Sequence, residues 1–353
     1  MSEAFDRGPY QPPIGLREAL AGVRRVFITA HVDPDGDALG SAMGMYNLLR
    51  REGFDATPVC IGRLPSFAPS LPGIDAIRHF PDRIAAGTHV DPILEPGDAV
   101  LVMDTPAADR MAAFYDVHRA LLPQCQVIVF DHHFTNERFG NVNYIDPAAA
   151  ATAEVVVDIL DASGINLDPS SSTCLMTALV ADTQAFRTEN TSPRSLLLGY
   201  RLSAAGAPIY ATVESMLKTR PLSALRLWGA ALDHMQAENG VVWTKVTGDM
   251  LAADATMEDS EGLVDLLLSS KDSRVAIVLK ELHPGETKVS MRTLPGIDAT
   301  RIVGAFGGGG HQRAAGCTIM APADEAARRL LPLVAEELQR GVSEAEAVAA
   351  GSH

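Results

Sequence analysis

Three short runs in the first half of the chain, Val26 to Ala30, Ala99 to Met103 and Val127 to Phe130, carry no charge at any position. Strands buried on both faces read this way, because neither face meets water. Between the first two runs the spacing changes: Leu39, Met43, Tyr46 and Leu49 recur at helical intervals within Asp37 to Arg50. The strand ending at Ala30 is therefore expected to pass through a polar turn into a helix. Such alternation predicts a parallel sheet, whose ligands bind at the carboxyl ends of the strands. Helical spacing dominates from Thr152 to about Lys218, including Ser171 to Phe186 and Pro193 to Ala204. Strands return at Val241 to Thr247, Arg274 to Glu281 and Lys288 to Arg292, with helices near Glu261 to Ser269, Asp298 to Phe306 and Asp324 to Gln339. The pattern predicts an α/β protein: an N-terminal parallel-sheet domain at 1–212, a helical linker at 213–228, a smaller α/β domain at 229–341 and a tail at 342–353.

Composition agrees with two domains, since 353 residues at roughly 150 per domain leave room for both and for a cleft between them. With 47% hydrophobic and 21% charged residues the chain can bury substantial cores, and no segment has the apolar length of a membrane span. The N-terminal MSEAFDRGPYQPP has neither a basic start nor an apolar run, so it does not read as a signal peptide and a cytoplasmic location is expected. Cys60, Cys125, Cys174 and Cys317 are too scattered for a disulfide framework or a zinc ribbon and are expected as buried thiols. A net charge of −15 repels a polyanion, which argues against a protein that wraps long DNA or RNA. From Lys271 to Arg313 the balance reverses, with seven Lys or Arg against four acids; on charge counting alone that patch reads as a solvated face.

The turn after the first strand reads His31-Val-Asp33-Pro34-Asp35-Gly36-Asp37, a histidine and three carboxylates in one short loop. Like charges held this close destabilise a fold unless a cation neutralises them. An isolated loop of this kind is equally a helix-capping turn. The wider pattern favours a metal: Asp104 follows one apolar run, Asp131-His132-His133 follows another, and Asp182 sits in a helical segment. Carboxylates mixed with imidazoles and without thiolate suit manganese more than structural zinc. A second feature is Gly307-Gly308-Gly309-Gly310-His311 with Ala314-Ala315-Gly316 beyond it. Flanked by a helix and a strand, it is not read as a linker, and it lacks the features of a dinucleotide fingerprint or P-loop. Glycines there would let backbone N–H groups approach a phosphate or base.

These residues resemble the DHH phosphoesterase superfamily, named for the triplet that stands here at Asp131-His132-His133. The loop matches the first motif, HxxPDxDxxGS, at His31, Pro34, Asp35, Asp37, Gly40 and Ser41, and Asp104, the triplet and Asp182 match the rest in order. One departure is Gln184, where the family often places glycine after Asp-Thr. Glu261 onward, through Lys288-Val-Ser-Met-Arg292 to the glycine run, resembles the DHH-associated domain of nanoRNases and pAp phosphatases, so the likeness covers about residues 20 to 340.

The resemblance implies two divalent ions, Mn²⁺ or alternatively Mg²⁺ or Co²⁺. His31, Asp35 and Asp104 would hold one, and Asp37, Asp104, His132 and Asp182 the other, with Asp104 bridging. Asp33 has no ligand role in that scheme. His133 would act on a phosphate or leaving oxygen. Ser290, Arg292, Gly309, Gly310 and His311 would bind substrate, Arg292 by pairing a phosphate. The implied activity is hydrolysis of short RNA or DNA oligonucleotides to 5′-mononucleotides and of pAp, with a cyclic or linear dinucleotide (c-di-AMP or pApA) phosphodiesterase as the alternative. The implied partners include no long nucleic acid and no membrane, and a homodimer is left open. A processive RecJ-type exonuclease and a DHH-type pyrophosphatase fit less well. A metal-dependent regulator without turnover is disfavoured, because decayed enzymes usually lose a ligand and all six are in place.

Overall fold

The computed structural model describes residues 12–350 except 86, 218–219 and 252–254; the side chains of 217, 258, 282, 311 and 342–350 also lie outside that description. The chain divides into two units, Met1–Thr219 and Arg220–His353, a division that falls inside the 213–228 stretch.

The first unit contains strands β1 (Val26–Ala30), β2 (Ala56–Ile61), β3 (Arg78–Phe80), β4 (Ala99–Met103), β5 (Gln126–Asp131) and β6 (Val142–Ile145). They form one sheet in the order β3-β2-β1-β4-β5-β6, with every neighbouring pair parallel. Its helices are α1 (Leu16–Ala19), α2 (Gly36–Arg51), α3 (Ala112–His118), α4 (Thr152–Ala162), α5 (Pro169–Asp182), α6 (Pro193–Ala204) and α7 (Ile209–Leu217). β1 and β4 are buried at all positions, which is why their sequences are free of charge. One core joins the sheet to α2, α4 and α5, and another joins its opposite face to α3. The chain moves outward from β1 to β3, then crosses back to β4 and continues to β6. The order therefore reverses between β1 and β4, and the crevice at such a reversal is where doubly wound sheets bind ligands.

α2 and α5 pack unusually closely. A Cβ on Gly40 would lie 2.6 Å from the Cys174 carbonyl oxygen, and one on Gly44 would lie 2.7 Å from Leu175 Cγ. The motif glycine at 40 is thus the contact that lets the two helices approach. α5 begins at a capping box in which Asp168 accepts from the Ser170 and Ser171 N–H groups, with Pro169 at its first position. It ends at Asp182 and does not reach Phe186 as the spacing predicts, because Gln184, Ala185 and Phe186 take left-handed backbone with φ of 46°, 57° and 66°. Gln184, at the position where the family often has glycine, occupies that conformation without one.

The second unit contains α8 (Leu222–Asp233), β7 (Gln236–Glu238), β8 (Val241–Val246), α9 (Leu263–Leu268), β9 (Val275–His283), β10 (Glu286–Thr293), α10 (Ala299–Gly304), β11 (Gly309–His311), β12 (Ala314–Ile319) and α11 (Ala323–Ala350). Its sheet runs β11-β12-β10-β9-β8-β7 and is mixed, with β8 and β9 parallel and the other pairs antiparallel. One face packs on α8 and α9, the other on α10 and α11. The helix α11 continues through Ala350, where a tail is expected from 342; residues 342–350 contain neither Gly nor Pro to stop it. All four cysteines are free and buried. Among the described residues no helix is long and apolar enough to cross a membrane.

Candidate metal centre

The ends of β1, β4 and β5 set the centre. Ala30 is registered on Met103 and Met103 on Phe130, so His31 and Asp104, the residues that follow, leave the sheet next to each other, with Asp131, the last residue of β5, alongside. Adjacent strands at about 4.8 Å place such side chains within reach of one ligand. Asp104 turns at a left-handed φ of 51°, which a short polar side chain tolerates, and its N–H donates to the Phe130 carbonyl at 2.8 Å. Asp33 has the same φ of 51° but points elsewhere: its carboxylate accepts the Arg63 N–H at 2.8 Å and ties the loop to the end of β2.

Asp35 caps α2, accepting the Asp37 and Ala38 N–H groups at 3.1 Å each. Asp37, wholly buried, accepts the Ser41 hydroxyl at 3.2 Å and the Thr152 N–H at 2.6 Å. Thr152 opens α4 and its hydroxyl also donates to Asp104 at 3.0 Å, so one buried threonine bonds two of the acids. Its role is invisible in sequence, where it is one polar residue after an alanine run.

The histidines are pre-oriented. His31 Nδ1 lies 2.9 Å from the Val32 carbonyl and His132 Nδ1 lies 3.2 Å from the Ala149 carbonyl. A carbonyl only accepts, so each Nδ1 carries the proton and each Nε2 turns to the acids, an arrangement typical of metal-ligating histidine. His31 Nε2 is 4.0 Å from Asp104, while His132 Nε2 is 3.1 Å from Asp182, 3.5 Å from Asp104 and 3.7 Å from Asp37. His133 differs: its Nδ1 bonds Asp131 at 2.7 Å. Buried Asp131 also accepts the N–H groups of His132 and His133 and the Asn136 amide, so it orients the triplet.

Donor atoms of His31, Asp35 and Asp104 lie within 4.8 Å of one another, as do those of Asp37, His132 and Asp182 and those of Asp104, His132 and His133. The charges show why a cation fits. Burial, then the charges of Asp104 and Asp182, push the Asp35 carboxyl up to about 6. Asp35 is exposed to solvent even though protein crowds it, so water softens the first of these causes. Asp37 is raised well above the carboxylate range by burial and then by the same two acids. For Asp104 burial acts upward, but the hydrogen bond from His132 and then the imidazole charges outweigh it and hold the carboxyl below its usual range. Burial would lower His132, yet its bonds to Asp104 and Asp182 raise it well above an ordinary histidine. A divalent cation removes the mutual repulsion that resists ionisation of Asp35 and Asp37, and the all-oxygen and nitrogen donor set suits one.

The sequence matches the DHH family, N-terminal domain, over residues 25–181 and the DHHA1 domain over 240–340. The bifunctional oligoribonuclease and PAP phosphatase NrnA of Thermus thermophilus is 33% identical over 318 residues, 89% of this chain and 90% of that protein. The chain belongs to the DHH family. As a DHH-family member it is a hydrolase of phosphoester bonds. The DHH-family relative GdpP of Geobacillus thermodenitrificans, a cyclic-di-AMP phosphodiesterase, is 25% identical over 84% of this chain, which spans 45% of that protein. An exopolyphosphatase-related protein from Bacteroides fragilis has the same fold, with a TM-score of 0.81 at 23% identity over 90% of this chain and 94% of that one.

In the DHHA1 unit, register aligns the expected substrate residues on one sheet. Gly309 pairs with Gly316, which pairs with Ser290; His311 pairs with Ala314, which pairs with Arg292. The His311 side chain lies outside the described residues, whereas its backbone is in β11. Ser290 and Arg292 line a cavity of about 300 Å³ together with Lys280, Lys288 and the Ser260 to Gly262 turn. Arg292 is aimed by Asp265, whose carboxylate its Nε meets at 3.0 Å. In the glycine run, Gly308 and Gly310 press on the backbone of β12, where a Cβ would come within 2.4 and 2.5 Å of carbonyl oxygens. Gly309 has open space, on the edge strand of the sheet. From sequence the two lysines belong only to a basic patch that reads as a solvated face, and Asp265 is not singled out; on β9 and β10 only the alternation of strand faces would have put the lysines beside Ser290 and Arg292.

Proposed function

We propose that the chain hydrolyses oligoribonucleotides a few residues long to 5′-mononucleotides and removes the 3′-phosphate of pAp, using two Mn²⁺ ions. The observation that carries this reading is the convergence of His31, Asp35, Asp37, Asp104, His132 and Asp182 at the reversal point of the sheet, with both ligand histidines locked through Nδ1. His31, Asp35 and Asp104 would hold one ion; Asp37, Asp104, His132 and Asp182 would hold the other. Bound there, the ions would polarise the phosphoryl oxygens and lower the pKa of an attacking water.

The chain's own groups do the rest. Against the downward pull of burial, the Asp131 hydrogen bond raises the pKa of His133. That favours the protonated form, from which His133 would give a proton to the leaving oxygen or bond a non-bridging one. Arg292, aimed by Asp265, pairs a substrate phosphate, and Ser290, Gly309, Gly310 and His311 complete the substrate contacts. The Thermus relative's name supports the substrate pair, and the net charge of −15 favours short over long nucleic acid. On this reading the enzyme works in the cytoplasm.

The test is turnover across a ladder from dinucleotide to long RNA, with pAp, linear pApA and c-di-AMP alongside. The expected result is fastest release of mononucleotide from the shortest RNAs, with phosphate released from pAp. Turnover confined to c-di-AMP would replace this reading with the one that the GdpP likeness favours.

A further inference from the structure

Phe134 directly follows His133 and is the most exposed large hydrophobic side chain among the described residues, at 82%. It is the second residue of a turn closed by the Asn136 N–H donating to the His133 carbonyl at 3.1 Å. Turn corners normally carry proline or small polar residues, and an exposed phenyl forgoes the burial that would reward it. The turn is nevertheless firmly held. The Asn136 amide donates to the Thr105 carbonyl at 3.1 Å and to Asp131, and the Glu137 N–H donates to the Pro106 carbonyl at 2.8 Å. The carboxylate that orients His133 therefore also fixes the turn that presents Phe134.

Thr135, Asn136, Glu137 and Arg138, which follow Phe134, are polar, so the ring is not part of an apolar run in the sequence. What remains is an exposed aromatic ring on a hydrogen-bonded turn, one residue from the group proposed to meet the scissile phosphate. A nucleobase joined to that phosphate through its sugar is an occupant of the right size and chemistry, because every base has a π face and stacking is indifferent to its identity.

We propose that Phe134 is a stacking platform for the nucleobase beside the scissile phosphate, and so a substrate-positioning residue of this centre. The proposal rests on the oligonucleotide reading above. It implies that the first unit selects for a base as well as a phosphate, and that small phosphoesters lacking a base lose this contact.

The experiment compares wild type with Phe134→Ala, Phe134→Leu and Phe134→Trp on 5′-phosphorylated diadenylate and on its two abasic counterparts, each lacking one base. Phe134→Ala and Phe134→Leu should lower kcat/KM on diadenylate about 5- to 150-fold, the equivalent of about 1–3 kcal/mol for one base–aromatic stack. Phe134→Trp should keep the wild-type value. On one of the two abasic substrates wild type and Phe134→Ala should be equal. Metal content and melting temperature should be the same in all four proteins. If Phe134→Ala loses the same factor on every substrate, or Phe134→Leu works as well as wild type, the stacking role is overturned. If wild type releases no mononucleotide from diadenylate, it is the oligonucleotide reading that fails.

Discussion

Among single residues, Asp33 and Asp104 make the sharpest comparison, since both are aspartates after a strand with φ of 51°. Asn tolerates that backbone nearly as well as Asp, so Asp33→Asn and Asp104→Asn remove charge while holding strain constant. Asp104→Asn should lower turnover by more than about 100-fold, beyond the loss typical of residues that merely support a ligand. Asp33→Asn, which can still accept the Arg63 N–H, should keep metal content and most activity; equal loss in the two would contradict the ligand assignment. The residues expected as ligands stand out in the sequence because acids and histidines at strand ends are scarce and their spacing is distinctive. Thr152 and Phe134 do not, and Asp131 stands out only as the first letter of its triplet, because their partners depend on what folds beside them. Gln184 shows the converse: a left-handed position at φ 46° filled by a residue that gives no local sign of it.

At the scale of elements, the contact between α2 and α5 is what joins Asp35 and Asp37 to Asp182. Gly40→Ala places its methyl 2.6 Å from the Cys174 carbonyl oxygen, against backbone that cannot rotate away. It should cost about 1–3 kcal/mol of stability, as overpacking does, and weaken Mn²⁺ binding measured by calorimetry. Gly229→Ala in α8, where a Cβ meets nothing within 4 Å, is the control and should be neutral or stabilising. A second device lies at the end of α3, where buried His118 donates from Nδ1 to the Phe114 carbonyl at 2.7 Å and accepts the Ile93 N–H on Nε2 at 2.9 Å. Burial, and then Arg78, hold its pKa below the ordinary 6.5. A depressed folded-state value means the unfolded chain takes up the proton first, so the stability from neutral His118 is present above pH 6.5 and is lost as pH falls below it. Chemical denaturation of wild type and His118→Gln from pH 7 to 5 should show a slope shallower in the variant, by up to about 1.4 kcal/mol per pH unit; identical slopes would place a charged histidine in the core. Strands were legible where both faces are buried, as in β1 and β4, and where the faces alternate, as in β8 and β10, whereas β2, β3 and β6 were not. β3 exposes Arg78 and His79, β6 carries Asn143, and β2 contains Pro58, so none shows an unbroken apolar run. β11 escaped notice because glycine has no strand signature of its own.

For the whole molecule, the first unit holds an acidic cluster suited to cations, and in the second Lys280, Lys288 and Arg292 surround one cavity. The net charge of −15 disfavours a long polyanion, whose many charges would meet repulsion. The two-domain α/β plan was legible from the change of period along the chain, whereas the length of α11 was not, since a terminal run of Ala, Glu and Val reads equally as helix or tail. The proposed chemistry is metal-supported cleavage of a short phosphodiester. Its most direct test is release of mononucleotide from labelled 5′-phosphorylated dinucleotide by protein dialysed against chelator and then titrated with Mn²⁺. Turnover absent after dialysis and restored as two ions bind per chain is the predicted result; full turnover persisting in excess chelator after prolonged dialysis would contradict it.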